Sequence, residues 1–126
     1  MSRPRAFADQ VVARLSPLGP VRARGMFGGF GIYHEDLMFA LIASTRLYFK
    51  VDDDTVERFE AAGCAPFTYA RGEGKRIVMS YREAPAGAID DPDALLPWAE
   101  LGLAAARRAR ARKNKNQRKG RRRSSG

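Results

Sequence analysis

Apolar side chains recur near the N-terminus at the spacing of a helix. Phe7, Val11, Leu15 and Leu18 are separated by four, four and three positions, with Ala8 and Val12 beside them. That spacing predicts one buried face of a helix over residues 4–18. Pro17, Gly19 and Pro20 end it, because proline lacks an N–H donor and disfavours helical geometry in the residue before it. The period then shortens. Residues 21–33 read as two short strands joined through glycines, and residues 37–43 as a strand of nearly continuous apolar side chains. His34, Glu35 and Asp36 form the turn between them. Leu47, Phe49 and Val51 alternate with Tyr48 and Lys50, the period-two mark of a half-buried strand.

Asp52, Asp53 and Asp54 end that strand and open a helix reaching Ala62, with Asp54 and Glu57 at capping-box spacing and the acids where the helix dipole is positive. Val56 and Phe59 supply its inner face, and Gly63 is a natural stop. Three consecutive aspartates also suit a magnesium or calcium ion. The ligand spacing of an EF-hand is missing, however, and capping accounts for the same residues, so no metal is assigned. Phe67 to Tyr69 and Ile77 to Tyr81 read as a hairpin across Arg71, Gly72, Glu73, Gly74 and Lys75; Arg71, Lys75 and Arg76 could touch nucleic acid, but the simpler reading is that they keep its tip and a sheet edge soluble. Asp91 and Pro92 read as an N-cap and first helical position, followed by Leu95, Trp98, Leu101 and Ala105 at threes and fours. Pro97 either bends this last helix or separates its first turn. Alanines and arginines over residues 104–112 carry the helix outward. By Asn114 the apolar pattern has gone, and residues 113–126 are expected to be disordered unless bound.

The segment Arg24-Gly25-Met26-Phe27-Gly28-Gly29-Phe30-Gly31-Ile32-Tyr33 could be a phosphate-binding loop or a bend between strands. Phosphate loops of the P-loop and dinucleotide types lead into a helix whose N-terminus faces the anion. Here the chain leads into strand, no Lys-Ser or Lys-Thr follows, and the ordered G-x-G-x-x-G pattern is absent. The glycines therefore read as a backbone device of a bulge or bend.

A chain of 126 residues is most simply one domain. It contains no apolar run near the roughly 18 to 20 residues of a membrane span. Its first residues lack a signal-peptide core, so no membrane association and a cytoplasmic location are expected. Cys64 is the only cysteine, which rules out an intramolecular disulfide and reads as a small packing residue. The net charge of +9 changes meaning once it is located. Arg107, Arg108, Arg110, Arg112, Lys113, Lys115, Arg118, Lys119, Arg121, Arg122 and Arg123 are eleven cations with no acid among them, and removing them leaves −2 for residues 1–106. The expected organisation is a near-neutral domain over residues 1–112 and a basic tail over 113–126, with those eleven cations as the nucleic-acid-binding residues.

Enzyme chemistry has little to work with. His34 is the only histidine and reads as a surface-turn residue beside Glu35 and Asp36 with no evident nucleophile, and H-E-x-x-H, G-x-S-x-G and Walker patterns are absent. No catalytic residue, cofactor or metal is assigned.

Ordered blocks along the chain resemble the N-terminal domain of the TfoX (Sxy) competence-regulator family. They are the glycine segment quoted above, Leu37-Met38-Phe39-Ala40-Leu41-Ile42, Leu47-Tyr48-Phe49-Lys50-Val51-Asp52 and Phe59-Glu60-Ala61-Ala62-Gly63. Pro66-Phe67-Thr68-Tyr69, Met79-Ser80-Tyr81 and Leu95-Leu96-Pro97-Trp98-Ala99 continue the match over residues 5–108. The resemblance implies an α+β fold, a two-layer α/β sandwich with an antiparallel sheet in the order helix, strands, helix, hairpin, helix, similar to secretion-chaperone-like folds. It also implies a non-enzymatic bacterial regulator of transcription or competence, working with a transcription-factor partner such as a cyclic-AMP receptor protein. Competence regulators of this family carry a C-terminal helical domain where this chain has basic residues.

The tail fits two readings equally: contact with regulatory DNA, or generic binding of RNA and other polyanions. An alternative function is a protein-interaction module that docks a partner or a second copy as a homodimer. Phe27, Phe30, Tyr33, Tyr48 and Tyr69 could furnish its surface, but a domain of this size needs most of those rings in its core.

Overall fold

The computed structural model describes residues 3–26, 29–70 and 76–124. Phe27, Gly28 and the loop cations Arg71 and Lys75 lie outside the described residues. Helix α1, Arg3–Arg14, carries the predicted N-terminal face, with Ala8, Val11 and the following Leu15 fully buried. The α-helix stops before Leu18. Pro17 instead sits in a 3-10 turn, Ser16–Leu18, which still delivers Leu18 to the core. Six strands follow the predicted order: β1 Val21–Met26, β2 Gly29–His34, β3 Leu37–Ala43, β4 Arg46–Lys50, β5 Pro66–Ala70 and β6 Arg76–Glu83. They form one antiparallel sheet in the order β1-β2-β3-β4-β6-β5, so the β5/β6 hairpin joins the meander through β6. Helix α2, Val56–Ala61, lies between β4 and β5, and helix α3, Pro92–Ser124, closes the fold.

The helices share one face of the sheet. Ala8, Val11 and Leu15 of the α1 segment, Phe59 of α2 and Leu95, Ala99, Leu103 and Ala106 of α3 enter the same cluster as Ile32, Ala40, Ile42, Leu47 and Phe49. The sheet's register explains one irregularity. Ile32 pairs with Ala40 but Tyr33 pairs with Met38, which leaves Phe39 as the extra residue of a bulge. Phe39 and Ala40 are therefore both fully buried on the helix side although they are neighbours in a strand. Phe59 and Trp98 meet edge to face with ring centroids 4.8 Å apart, locking α2 against α3.

Among the described residues, no helix covers the opposite face. Leu41, Tyr48 and Tyr81 bury one another there with Met38, Ala43 and Phe67, and Tyr48 meets Phe67 at 4.9 Å. Burial, with the nearby Tyr33 adding to it, pushes the Tyr81 hydroxyl up to about 12. Of the aromatic residues weighed as a docking surface, Tyr48 is thus buried, and Phe30 packs against the main core. This α+β arrangement of an open six-stranded antiparallel sheet and three helices agrees with the fold class that the sequence implies.

Helix α3 is placed by one glycine. A Cβ on Gly102 would stand 3.0 Å from the Phe39 carbonyl oxygen and 3.1 Å from Phe49 Cβ, so the helix backbone lies directly on β3 and β4. Glycine inside a helix costs about 1 kcal/mol relative to alanine, and the close approach offsets that. Pro97 neither breaks the helix nor separates its first turn. The N–H it lacks lies near the helix start, and Pro97 itself is exposed, so the Asp93 carbonyl it leaves unbonded is near water.

A candidate nucleic-acid interface on the C-terminal helix

Helix α3 is 33 residues long, which at 1.5 Å per residue is about 50 Å, well beyond the roughly 30 Å of a small domain. Its last residue in the main core is Ala106. From there the helix leaves the sheet and carries the acid-free segment with it. The sequence reading stops the helical pattern at Asn114, but the helix continues through Ser124. Arg, Lys and Gln are strong helix formers that need no apolar face, and they outnumber the weak formers Asn114, Asn116 and Gly120 in this stretch. Repulsion opposes this. Arg108 and Arg112, Lys115 and Lys119, Arg118 and Arg122, and Lys119 and Arg123 are like charges four residues apart, each costing about 0.2–0.5 kcal/mol. A bound polyanion would remove that penalty.

The cations expected to meet nucleic acid do not share one environment. Arg107, Arg112, Lys113 and Lys115 are exposed. Arg118, Lys119, Arg121, Arg122 and Arg123 continue the backbone of α3. Arg110 is exposed too, yet its Nη2 donates to the Asp36 carbonyl at 3.2 Å. Arg108 is committed to the domain. Its Nε donates to Asp52 Oδ2 at 2.6 Å and its Nη2 to Asp52 Oδ1 at 3.1 Å, while Asp54 Oδ2 lies 3.3 Å from Nε.

Asp52 is consequently the residue that fixes where the basic segment departs. It also caps the turn at residues 53–55 that leads into α2, in place of the expected capping by Asp54 and Glu57. Asp52 Oδ1 accepts from the Asp54 N–H at 3.1 Å, and Thr55 Oγ1 accepts from the Asp52 N–H at 3.1 Å. The reciprocal pairing is therefore Asp52 with Thr55 and not Asp54 with Glu57. Hydrogen bonds from Arg108 hold the Asp52 carboxyl below its ordinary value of 3.8 against an opposing effect of burial.

Asp52→Ala removes the cap and the ion pair together. The cap is worth about 1 kcal/mol. The charge-assisted bonds would add about 1.5–3, but the Arg108 side chain is 36% exposed and screening reduces their share. A loss of about 2 kcal/mol is expected by denaturant unfolding at neutral pH, and about half of it for Asp52→Asn, which keeps a capping oxygen. A lowered folded-state value means that this stabilisation is present above pH 3.8 and fades as the pH falls through the folded value. Wild type and Asp52→Asn should converge there. A constant gap through that acid range would show that the Arg108 pair contributes nothing.

His34 corrects another reading. It is not a surface-turn residue but the 6%-exposed end of β2, and its Nε2 would stand 3.0 Å from a Cβ on Gly19, whose φ is +117°. The turn after it places Glu35 and Asp36 at positive φ, and Asp36 pairs with Arg22 across the hairpin. His34 and Glu35 face Arg107, Arg110 and Asn114 of α3 across a cleft of about 230 Å³. Sequence reading missed this juxtaposition, although the spacing of 107, 110 and 114 by three and four already marks one helix face. Cys64 is buried, and burial pushes its thiol up, consistent with a packing role. Among the described residues no helix is long and apolar enough to cross a membrane.

The sequence profile of the TfoX N-terminal domain matches residues 13–106. A 54-residue segment is 41% identical to the DNA transformation protein TfoX1 of Aliivibrio fischeri, covering 43% of this chain and 26% of that protein. The match thus spans about a quarter of the relative's length, and the profile ends where α3 leaves the core.

Proposed function

The chain belongs to the TfoX N-terminal domain family, and from that premise we propose that it is a non-enzymatic regulatory protein of DNA transformation or transcription that contacts DNA through its C-terminal helix. One observation carries the reading: α3 passes without interruption from the apolar core at Ala106 into a segment holding eleven cations and no acid. A helix of this diameter fits the major groove of B-DNA, and a rigid helix presents its cations at fixed positions along the phosphates. The name of the relative, a DNA transformation protein, supports the same direction.

The alternative, an interaction module whose basic segment binds any polyanion, predicts a different preference. A-form RNA has a deep, narrow major groove that does not admit a helix. Full-length protein should therefore bind duplex DNA more tightly than duplex RNA of the same sequence, by roughly tenfold or about 1.4 kcal/mol. Equal affinity for DNA, RNA and heparin in competition would favour the polyanion reading.

A further inference from the structure

The cleft between α3 and the β2–β3 turn has a composition that nothing in the fold requires. Arg107, Arg110, Ala111 and Asn114 form its helix wall, and His34, Glu35 and Leu37 its other wall. Among the described residues, neither Arg107 nor Arg110 forms an ion pair, in contrast to Arg108, Arg22 and Arg82, which do. The Asp36 carbonyl holds Arg110 by a single Nη2 contact, which orients the guanidinium without neutralising it. Two cations thus converge on one concave site against one carboxylate, with the Asn114 amide as a further donor. The volume of about 230 Å³ lies below the range of about 300–1,000 Å³ that encloses drug-sized ligands.

We infer that this cleft is a phosphate site that receives one phosphodiester of the nucleic-acid backbone and so fixes the strand's position at the point where α3 leaves the domain. The inference rests on the nucleic-acid reading above and adds a docking point to it. Charge selects a phosphate, because arginine forks match its oxygens two at a time, and the cleft has room for one. The source is a polymer because Arg107, Arg110 and Asn114 begin a spacing that the sequence continues at Arg118 and Arg121, in steps of three, four, four and three. A phosphate held at the cleft would thus be the first of a row. Glu35 opposes it, which gives the proposal a signature that misfolding cannot imitate.

The test uses full-length protein and a DNA duplex. Glu35→Gln should tighten binding by about fivefold, whereas Glu57→Gln, which removes the same charge from the exposed surface of α2, should not. R107Q/R110Q should weaken binding and reduce the salt slope by roughly one to two units. In NMR spectra the Asn114 side-chain amide and the His34 ring should shift on adding the duplex. Inorganic phosphate at the same phosphate concentration should leave them near their free positions. Equal effects of the two glutamate variants, an unchanged slope in R107Q/R110Q, or saturation of the shifts by inorganic phosphate would each overturn the site. If these fail while substitution of the cations beyond Arg110 still removes binding, the cleft is wrong and the nucleic-acid reading stands. If full-length protein binds no duplex, both fall.

Discussion

Gly29→Ala is expected to destabilise the domain by about 4 kcal/mol or more, a large part of the roughly 5–15 kcal/mol that holds a domain of this kind together. A Cβ at that position would lie 2.0 Å from the Ile42 carbonyl oxygen, 3.1 Å from its carbonyl carbon and 3.5 Å from Ala43 Cα. The obstacle is backbone in the neighbouring strand β3, which is itself paired to β4 through Ile42 and Leu47. No rotamer change relieves it, so β2 and β3 must separate at this end, and the cost exceeds the 1–3 kcal/mol usual for overpacking a core with side chains. The melting temperature should fall by roughly 10–20 °C. Gly25→Ala is the matched control. An added Cβ there meets nothing within 4 Å, and its effect should stay within about 0.5 kcal/mol. Thermal unfolding of the two variants decides the matter, and a Gly29→Ala protein as stable as wild type would contradict the β2/β3 register.

The same pair of glycines shows how far sequence reading reached. Strand on both sides of the segment favoured a backbone device over a phosphate loop, and the β1/β2 pairing agrees with strand on both sides. Which glycine is indispensable was not legible, because that depends on which atom of β3 lies opposite. Gly31 makes the point again: its close neighbours are the mobile ends of Tyr33, Met26 and Met38, which can yield where the Ile42 backbone cannot. Elements with a local period, such as the Phe7–Val11–Leu15 face or the Leu47–Phe49–Val51 alternation, could be read directly. Features set by partners far along the chain could not. Asp52 acts as cap and anchor through Thr55 and through Arg108, 56 residues later. His34 is buried with Gly19, far back along the chain, against its ring. The extent of α3 was underestimated for another reason: apolar periodicity cannot see a helix that has no face to bury.

The candidate interface was legible as charge but not as geometry. Composition located the eleven cations. It could not show that Arg108 is held by Asp52, that Arg110 is oriented by the Asp36 carbonyl, or that the rest continue along the helix. These distinctions determine how binding should be probed. Removing the whole of residues 107–126 would delete a stabilising ion pair with the binding residues, so a loss of binding could reflect a loss of fold. Substituting glutamine for Arg112, Lys113, Lys115, Arg118, Lys119, Arg121, Arg122 and Arg123 leaves the domain contacts intact and preserves helix propensity.

Each cation that neutralises a phosphate of duplex DNA releases counterions and contributes about 0.9 to the slope of log affinity against log salt. With six to eight of the cations engaged, the slope should be roughly −5 to −7, and affinity should fall by about three orders of magnitude or more between about 50 and 200 mM salt. The most direct measurement is therefore duplex-DNA affinity across a salt series for full-length protein and for the eight-glutamine variant, with unfolding checked in parallel. The account predicts a folded variant whose slope collapses to about −2 or shallower and whose affinity at low salt drops by at least about a hundredfold. A folded variant that keeps the wild-type slope and affinity would contradict it and place any nucleic-acid contact elsewhere on the domain.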